Sequence, residues 1–282
     1  MELFKRVDEV RTWSRRTRAA GLTVGFVPTM GFLHEGHLSL MRQAREKCDR
    51  VAASIFVNPM QFGPKEDLAA YPRDLDRDLE RMSSVPVDVV FHPDPEEVYP
   101  PGYQTRVEVT DVTRDLCGRY RPGHFTGVAT VVLKLFHIVE PDLAIFGEKD
   151  YQQLVTIKRM ARDLNLDVRV EGGVTVREPD GLAMSSRNTY LSGEERKSAR
   201  ALSSSLGLAR DMVAAGQRDP ARIIEAVRRH IEDHPHTRVE YAELVDPETM
   251  QAVDRIGPRT LLVLSVHVGR ARLIDNAVLT AS

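Results

Sequence analysis

The order of apolar runs between residues 22 and 57 limits most strongly what this chain can fold into. Leu22 to Val27 is a short apolar run, the segment after it sets Leu38, Met41, Ala44 and Cys48 on one helical face, and Val51 to Val57 is apolar again. Two short apolar runs around a stretch of helical periodicity predict a strand, a crossover helix and a second strand. Val87 to Phe91 and Leu143 to Phe146 read as further strands, and the second of these leads into a helix with Leu154, Ile157, Ala161 and Leu164 on one side. Strands alternating with helices build a parallel sheet covered on both faces. The predicted fold is α/β, doubly wound, and in that architecture ligands bind beyond the carboxyl ends of the strands.

The pattern changes after about residue 177. Ser192-Gly193-Glu194-Glu195 has the form of a capping box opening a long helix to about Ala215, and Asp219-Pro220 opens another with proline at its first helical position. Arg238 to Val245 and Thr260 to Val268 then read as strands of a small sheet. The division expected is a Rossmann-like domain over 1–177 and a smaller α+β domain over 178–282.

Charge sets a further limit. Lys and Arg total 39 against 41 Asp and Glu, a net charge of −2, which leaves no basic surplus for nucleic acid. No apolar run approaches membrane-spanning length, and the two cysteines, Cys48 and Cys117, form no paired motif. A soluble cytoplasmic protein is expected, with neither a disulfide framework nor a zinc site.

Four segments carry candidate chemistry. The first, Pro28-Thr29-Met30-Gly31-Phe32-Leu33-His34-Glu35-Gly36-His37, stands where the first strand gives way to its helix. A helix start offers unpaired N–H groups and the positive end of the dipole, glycines allow close approach, and imidazoles donate hydrogen bonds, so the segment suits a phosphate that gains charge as it reacts. A capped helix start would use the same residues. The second, Gly147-Glu148-Lys149-Asp150-Tyr151-Gln152-Gln153, repeats the strand, glycine and helix arrangement; Asp150 and Gln153 also suit a capping box, whereas Lys149 suits a phosphate. The third, Met184-Ser185-Ser186-Arg187-Asn188, follows the turn Pro179-Asp180-Gly181 and can wrap a triphosphate. The fourth, Asn58-Pro59-Met60-Gln61, supplies neutral amides that orient a small polar substrate, and Arg121, in the loop Arg119 to His124, can face an anion.

These segments together resemble the class I nucleotidyltransferase superfamily, whose H-x-G-H element and later K-M-S-K-S-like loop bind ATP. Within it the chain is similar, over nearly its whole length, to the pantothenate synthetase (pantoate–β-alanine ligase) family. The matching elements are Pro28 to Gly31 with His34 to Leu38, Phe56 to Phe62, Arg121 to Phe125, Phe146 to Leu154, and Met184 to Asn188. The resemblance implies ATP-dependent condensation of pantoate with β-alanine through a pantoyl adenylate. It assigns the catalytic centre to His37 and His34 with Lys149 and Arg187. It places ATP against Pro28, Thr29, Met30, Gly31, His34, His37, Gly147, Glu148, Lys149, Asp150, Val176, Met184, Ser185, Ser186 and Arg187. Pantoate and β-alanine fall to Gln61, Gln153, Asn58 and Arg121. Mg2+ is implied with ATP, held mainly through phosphate oxygens with Asp74, Asp76 and Asp78 nearby, and a homodimer is implied as the assembly. The competing functions are another H-x-G-H nucleotidyltransferase and a non-catalytic nucleotide sensor.

Overall fold

The computed structural model describes residues 1–64 and 66–281. The chain forms two compact units, one from residues 1–110, 121–148 and 156–174, the other from 111–120, 149–155 and the segment from 175 onward. The strands are β1 (Glu2–Phe4), β2 (Val24–Thr29), β3 (Arg50–Ile55), β4 (Val89–Phe91), β5 (Leu143–Gly147), β6 (Arg169–Gly173), β7 (Thr237–Val245), β8 (Thr260–Val268) and β9 (Ala271–Leu279). The helices are α1 (Val7–Ala19), α2 (Glu35–Lys47), α3 (Leu75–Ser83), α4 (Pro95–Val98), α5 (Cys117–Tyr120), α6 (His124–Val139), α7 (Tyr151–Asp163), α8 (Gly193–Ala214) and α9 (Pro220–Glu232).

The first unit holds the expected parallel sheet, six strands in the order β1-β4-β3-β2-β5-β6. The chain leaves β2 toward β3 and β4 on one side and takes up β5 and β6 on the other, so the order reverses between β2 and β5. At that reversal the two strands pair only at Gly25 with Leu143 and Phe26 with Ala144. Proline explains where the ladder stops. Val24 accepts from Asp142 N–H (2.8 Å) and Thr29 accepts from Phe56 N–H (3.0 Å), so by alternation the backbones of residues 24, 26 and 28 face β5. Pro28 has no N–H to offer there, and β2 and β5 part toward their carboxyl ends. The crevice where ligands bind in such sheets opens at this point.

Helix α2 covers one face of the sheet. Leu38, Met41 and Ala44 are buried with Val27, Val51, Ala53 and Ile145, and Cys48 is buried just past the helix end. Gly25 permits the contact: a Cβ on it would lie 3.2 Å from Ala44 Cβ. Each fully buried Leu, Met or Val in this layer contributes about 1.5–3 kcal/mol. Helix α6 is apolar nearly all round and buried along its length, from Phe125 to Val139. Without a polar face it shows no periodicity to read.

The second unit carries an antiparallel sheet, β7-β8-β9, with α8 and α9 packed on it. Its core joins Leu202, Leu206, Ile223 and Val227 to Leu262 and Leu264. The expected caps are present: Ser192 Oγ accepts from Glu195 N–H, Glu195 Oε2 accepts from Ser192 N–H (2.8 Å), and Asp219 Oδ1 accepts from Ala221 N–H (2.9 Å). Strand β9 lies outside the strands expected from sequence, because Asp275 interrupts its apolar alternation. That carboxylate is 1% exposed and receives two hydrogen bonds from Arg177, at 2.6 and 2.9 Å. Among the described residues no helix is long and apolar enough to cross a membrane.

Candidate active site

The first motif leaves the carboxyl end of β2 in a tight turn. Thr29 Oγ1 donates to the Ser54 carbonyl (2.6 Å) and accepts from Gly31 N–H (3.2 Å), fixing the end of the strand. Gly31 and Phe32 then take left-handed conformations, φ 81° and 50°. Phe32 is not a glycine, so its backbone is strained and needs an external anchor. The anchor is Asp78 on α3, which accepts from Phe32 N–H and Leu33 N–H, both at 2.7 Å. Burial pushes the Asp78 carboxyl above its ordinary pKa, against the pull of these two donors. Asp78, expected near Mg2+, is therefore committed to the backbone, and Asp74 caps α3 by accepting from Arg77 N–H (3.1 Å).

His34 is the N-cap of α2 and His37 lies in its first turn. The ring centroids lie 4.1 Å apart with their planes tilted by 40°, and His34 N–H donates to His37 Nδ1 at 3.3 Å. An Nδ1 that accepts carries no proton, so the neutral ring keeps its proton on Nε2. His37 is thereby set up as a hydrogen-bond donor at a helix N-terminus, where charge on a phosphate is already favoured.

The Asn58–Gln61 segment follows β3. Residues 59–61 form one turn of 3-10 helix, with Asn58 Oδ1 capping it from Met60 N–H (3.3 Å). Gln61 is buried; its Oε1 accepts from Asn58 Nδ2 (3.1 Å) and its Nε2 donates to Met30 Sδ (3.0 Å). Tyr99, a residue not singled out from sequence, donates its hydroxyl to Asn58 Oδ1 (2.8 Å), and burial pushes its pKa up, so the phenol stays protonated. Arg121 meets the same turn from behind: it donates to the Gln61 carbonyl (3.3 Å) and to Glu66 Oε1 (2.8 Å), while His124 Nδ1 also approaches that carbonyl (2.9 Å). Arg121 was expected to face an anion, and the carboxylate it meets is Glu66.

The remaining predicted residues fall in two groups. Gly147 ends β5 and Glu148 opens the 3-10 turn after it, both in the first unit, beside the crevice at β2. Lys149, Asp150, Gln153, Val176 and Met184 to Arg187 belong to the second unit. There the Lys149 carbonyl accepts from Asn276 Nδ2 (2.9 Å), while no acid pairs with its ammonium among the described residues. Gln152 is buried and structural: it donates to the Val112 and Asp115 carbonyls (2.9 Å each) and accepts from Cys117 N–H (3.1 Å). Gln153, its neighbour, is half-buried, with no side-chain hydrogen bond among the described residues. Val176 accepts from Met184 N–H (3.0 Å), closing a short hairpin whose turn, 179–181, holds Gly181 at φ 90°. Ser185 Oγ caps the 3-10 turn Ser186–Tyr190 by accepting from Arg187 N–H (3.3 Å). The nucleotide candidates Val176 and Met184 to Arg187 are thus one continuous hairpin and loop. Among the described residues no three His, Cys, Asp or Glu side chains stand together to hold a metal.

Known proteins resemble the chain along nearly its whole length. The model of the pantoate–β-alanine ligase family matches residues 2–278. A pantothenate synthetase of Syntrophobacter fumaroxidans is 57% identical over 279 residues, covering 99% of both chains. The crystal structure of pantothenate synthetase from Thermus thermophilus superposes with a TM-score of 0.92 at 46% identity, over 98% of this chain and 99% of that one. A pantoate–β-alanine ligase from Francisella tularensis, complexed with "beta-gamma ATP" and β-alanine, gives a TM-score of 0.82 at 33% identity, over 98% and 97% of the two chains. With a family model spanning nearly every residue and a relative of this identity along its full length, the chain belongs to the pantoate–β-alanine ligase family.

Proposed function

We propose that the chain joins pantoate to β-alanine in two half-reactions at the sites described. A pantoate carboxylate oxygen attacks the α-phosphorus of ATP, the bond from that phosphorus to the bridging oxygen breaks, and pyrophosphate leaves. The β-alanine amine then attacks the acyl carbon of the adenylate; the carbon–oxygen bond to AMP breaks, and the nitrogen loses its proton to give pantothenate. A carboxylate is a poor acyl donor until its oxygen belongs to such a leaving group, and the protein supplies position and charge stabilisation.

The observation that carries this reading is the His34 N–H donated to His37 Nδ1 (3.3 Å), which leaves the ring proton to Nε2, at a helix start beside the β2–β5 crevice. That donor faces charge developing on the α-phosphate. Gln61, held by Asn58 and Met30, and Gln153 take the hydroxyl and carboxylate of pantoate, and Gln61 also serves β-alanine. Arg121 acts through the Gln61 carbonyl. Pro28 to Gly31 with Gly147, Glu148, Asp150 and Val176 hold the adenosine, and Lys149 with Met184 to Arg187 reaches the phosphates. Mg2+ enters with ATP, held mainly on phosphate oxygens and water. Residues 1–177 serve as the nucleotide- and pantoate-binding domain and 178–282 as a lid- and dimer-associated domain. A cytoplasmic homodimer is the working form.

Pantoate-dependent exchange of label between pyrophosphate and ATP, without β-alanine, tests the scheme. The ligase gives exchange and His37→Ala abolishes it; full exchange in His37→Ala removes the histidine from the chemistry.

A further inference from the structure

We infer that Asp78 is a positioning residue for adenylation, acting through the His34 amide on the tautomer of His37. The inference rests on the proposed role of His37 as the phosphate donor. Asp78 is 1% exposed and sits on α3, far in sequence from the motif it serves. Its two oxygens take the N–H groups of Phe32 and Leu33, both at 2.7 Å. Two successive N–H groups after a left-handed residue form a concave nest suited to one anion, and here the anion is a side chain of the protein. The nest is strained at Phe32, φ 50°, so it persists only while the carboxylate holds it. Arg77 braces the arrangement, its guanidinium 4.3 Å from the Phe32 ring centre and its Nη1 3.9 Å from Asp78 Oδ1.

The next peptide after this nest carries the His34 N–H. Residue 34 leaves the turn extended, φ −137° and ψ 175°, which directs that N–H onto His37 Nδ1. If the nest relaxes, the amide turns away and Nδ1 loses this donor, and with it the hydrogen bond that favours the imidazole proton on Nε2. Gly31 marks how closely the parts fit: a Cβ on it would stand 2.9 Å from Asp78 Oδ2. The carboxylate therefore acts on the hydrogen-bonding state of the ring through the backbone.

Asp78→Asn is the direct test. The amide is nearly isosteric but has one acceptor oxygen, so one of the two N–H groups loses its partner. Because burial already disfavours the charged form, the neutral replacement is expected to fold. The kcat of pantoate-dependent ATP–pyrophosphate exchange should fall about 100-fold, the scale of a small misplacement of a catalytic group, with KM for ATP within about twofold. The 15N signals of the His37 ring should change from the single Nε2–H tautomer of the wild type to a mixture. A purely structural role would lower the melting temperature and leave both the ring signals and kcat per folded enzyme unchanged. Should Asn prevent folding, Asp78→Glu, which keeps the charge but overreaches by a methylene, is read by the same measurements. Wild-type kcat in a folded variant, or lost exchange with an unchanged His37 ring, overturns the inference. Absence of exchange in the wild type would instead count against the adenylation scheme.

Discussion

Gly127 lies so close to Met60 that a Cβ built on it would stand 2.3 Å from the Met60 carbonyl oxygen. The helix and the substrate turn are in backbone contact there, and the Gly127 carbonyl accepts from Asn58 Nδ2 at 3.0 Å. Gly127→Ala should therefore push the 59–61 turn and Gln61 outward. Two effects compete in stability: alanine favours the helix by about 0.5–1 kcal/mol, whereas overpacking costs about 1–3 kcal/mol. Contact with backbone leaves little room to relax, so overpacking wins. Expected are a lower melting temperature and a kcat/KM for pantoate reduced about 100-fold, against a small change in KM for ATP. Steady-state kinetics with each substrate varied in turn checks this.

Lys149 separates the two roles a lysine at a strand end can have. Its carbonyl is anchored to Asn276, its ammonium lacks an acidic partner among the described residues, and no lysine stands in the loop Met184 to Asn188. Lys149→Ala should lower adenylate formation at least about 100-fold, as loss of a preorganised charge does, with the melting temperature nearly unchanged. A wild-type rate of ATP–pyrophosphate exchange in this variant would remove Lys149 from phosphate stabilisation.

The parts of the fold that were legible in sequence are those with a periodicity to read. Leu38, Met41 and Ala44 declare α2, and the Ser192–Glu195 spacing declares the start of α8. Helix α6 hid because it is apolar and buried over most of its surface, and β9 because Asp275 faces inward. The clamp at Asp78 is harder, since its partners lie 45 and 46 residues away. One local sign of it exists: Asp78 shares a helical stripe with Leu75 and Met82, and a carboxylate on an apolar stripe needs buried donors. The motif residues themselves were legible because strand ends and glycines mark where a doubly wound sheet opens. Whether an amide in such a motif binds substrate or backbone depends on contacts that spacing does not contain.

Glu240 gives the second unit a pH response. Burial alone would push its carboxyl up, and the Arg272 guanidinium (2.9 and 2.7 Å), helped by Ser265 and His267, pulls it below the ordinary value. A carboxyl with a lowered folded pKa stabilises fully above its unfolded value, about 4.3, and that stability is lost as pH falls through the folded pKa. Urea midpoints should therefore decline steeply below about pH 4.3 in the wild type. In Glu240→Gln the decline should be shallower, from a starting point about 1.5–3 kcal/mol lower at pH 7, since the charge-assisted hydrogen bonds of a half-buried pair have been weakened. Parallel curves for the two proteins would rule this out.

Gln152 and Gln153 are neighbours on α7 with opposite assignments. Three hydrogen bonds of Gln152 go to the backbone of residues 112–117, so truncation leaves two carbonyls and one N–H without this partner. Each buried group so stranded costs about 1–3 kcal/mol, less where water reaches it. Gln152→Ala should thus destabilise by several kcal/mol and change pantoate affinity only as far as the unfolded fraction grows. Gln153 has no such commitments, so Gln153→Ala should leave the melting temperature within a few degrees. Its effect belongs to the substrate: removing a hydrogen bond to an uncharged group of pantoate costs about 0.5–1.5 kcal/mol, and to the carboxylate about 1.5–3 kcal/mol. A rise in KM for pantoate near tenfold with kcat nearly intact would mark contact in the ground state, whereas an equal fall in kcat and kcat/KM would mark contact made only as the carboxylate reaches phosphorus. Unchanged pantoate kinetics in Gln153→Ala would transfer pantoate recognition to Gln61 and Asn58 alone.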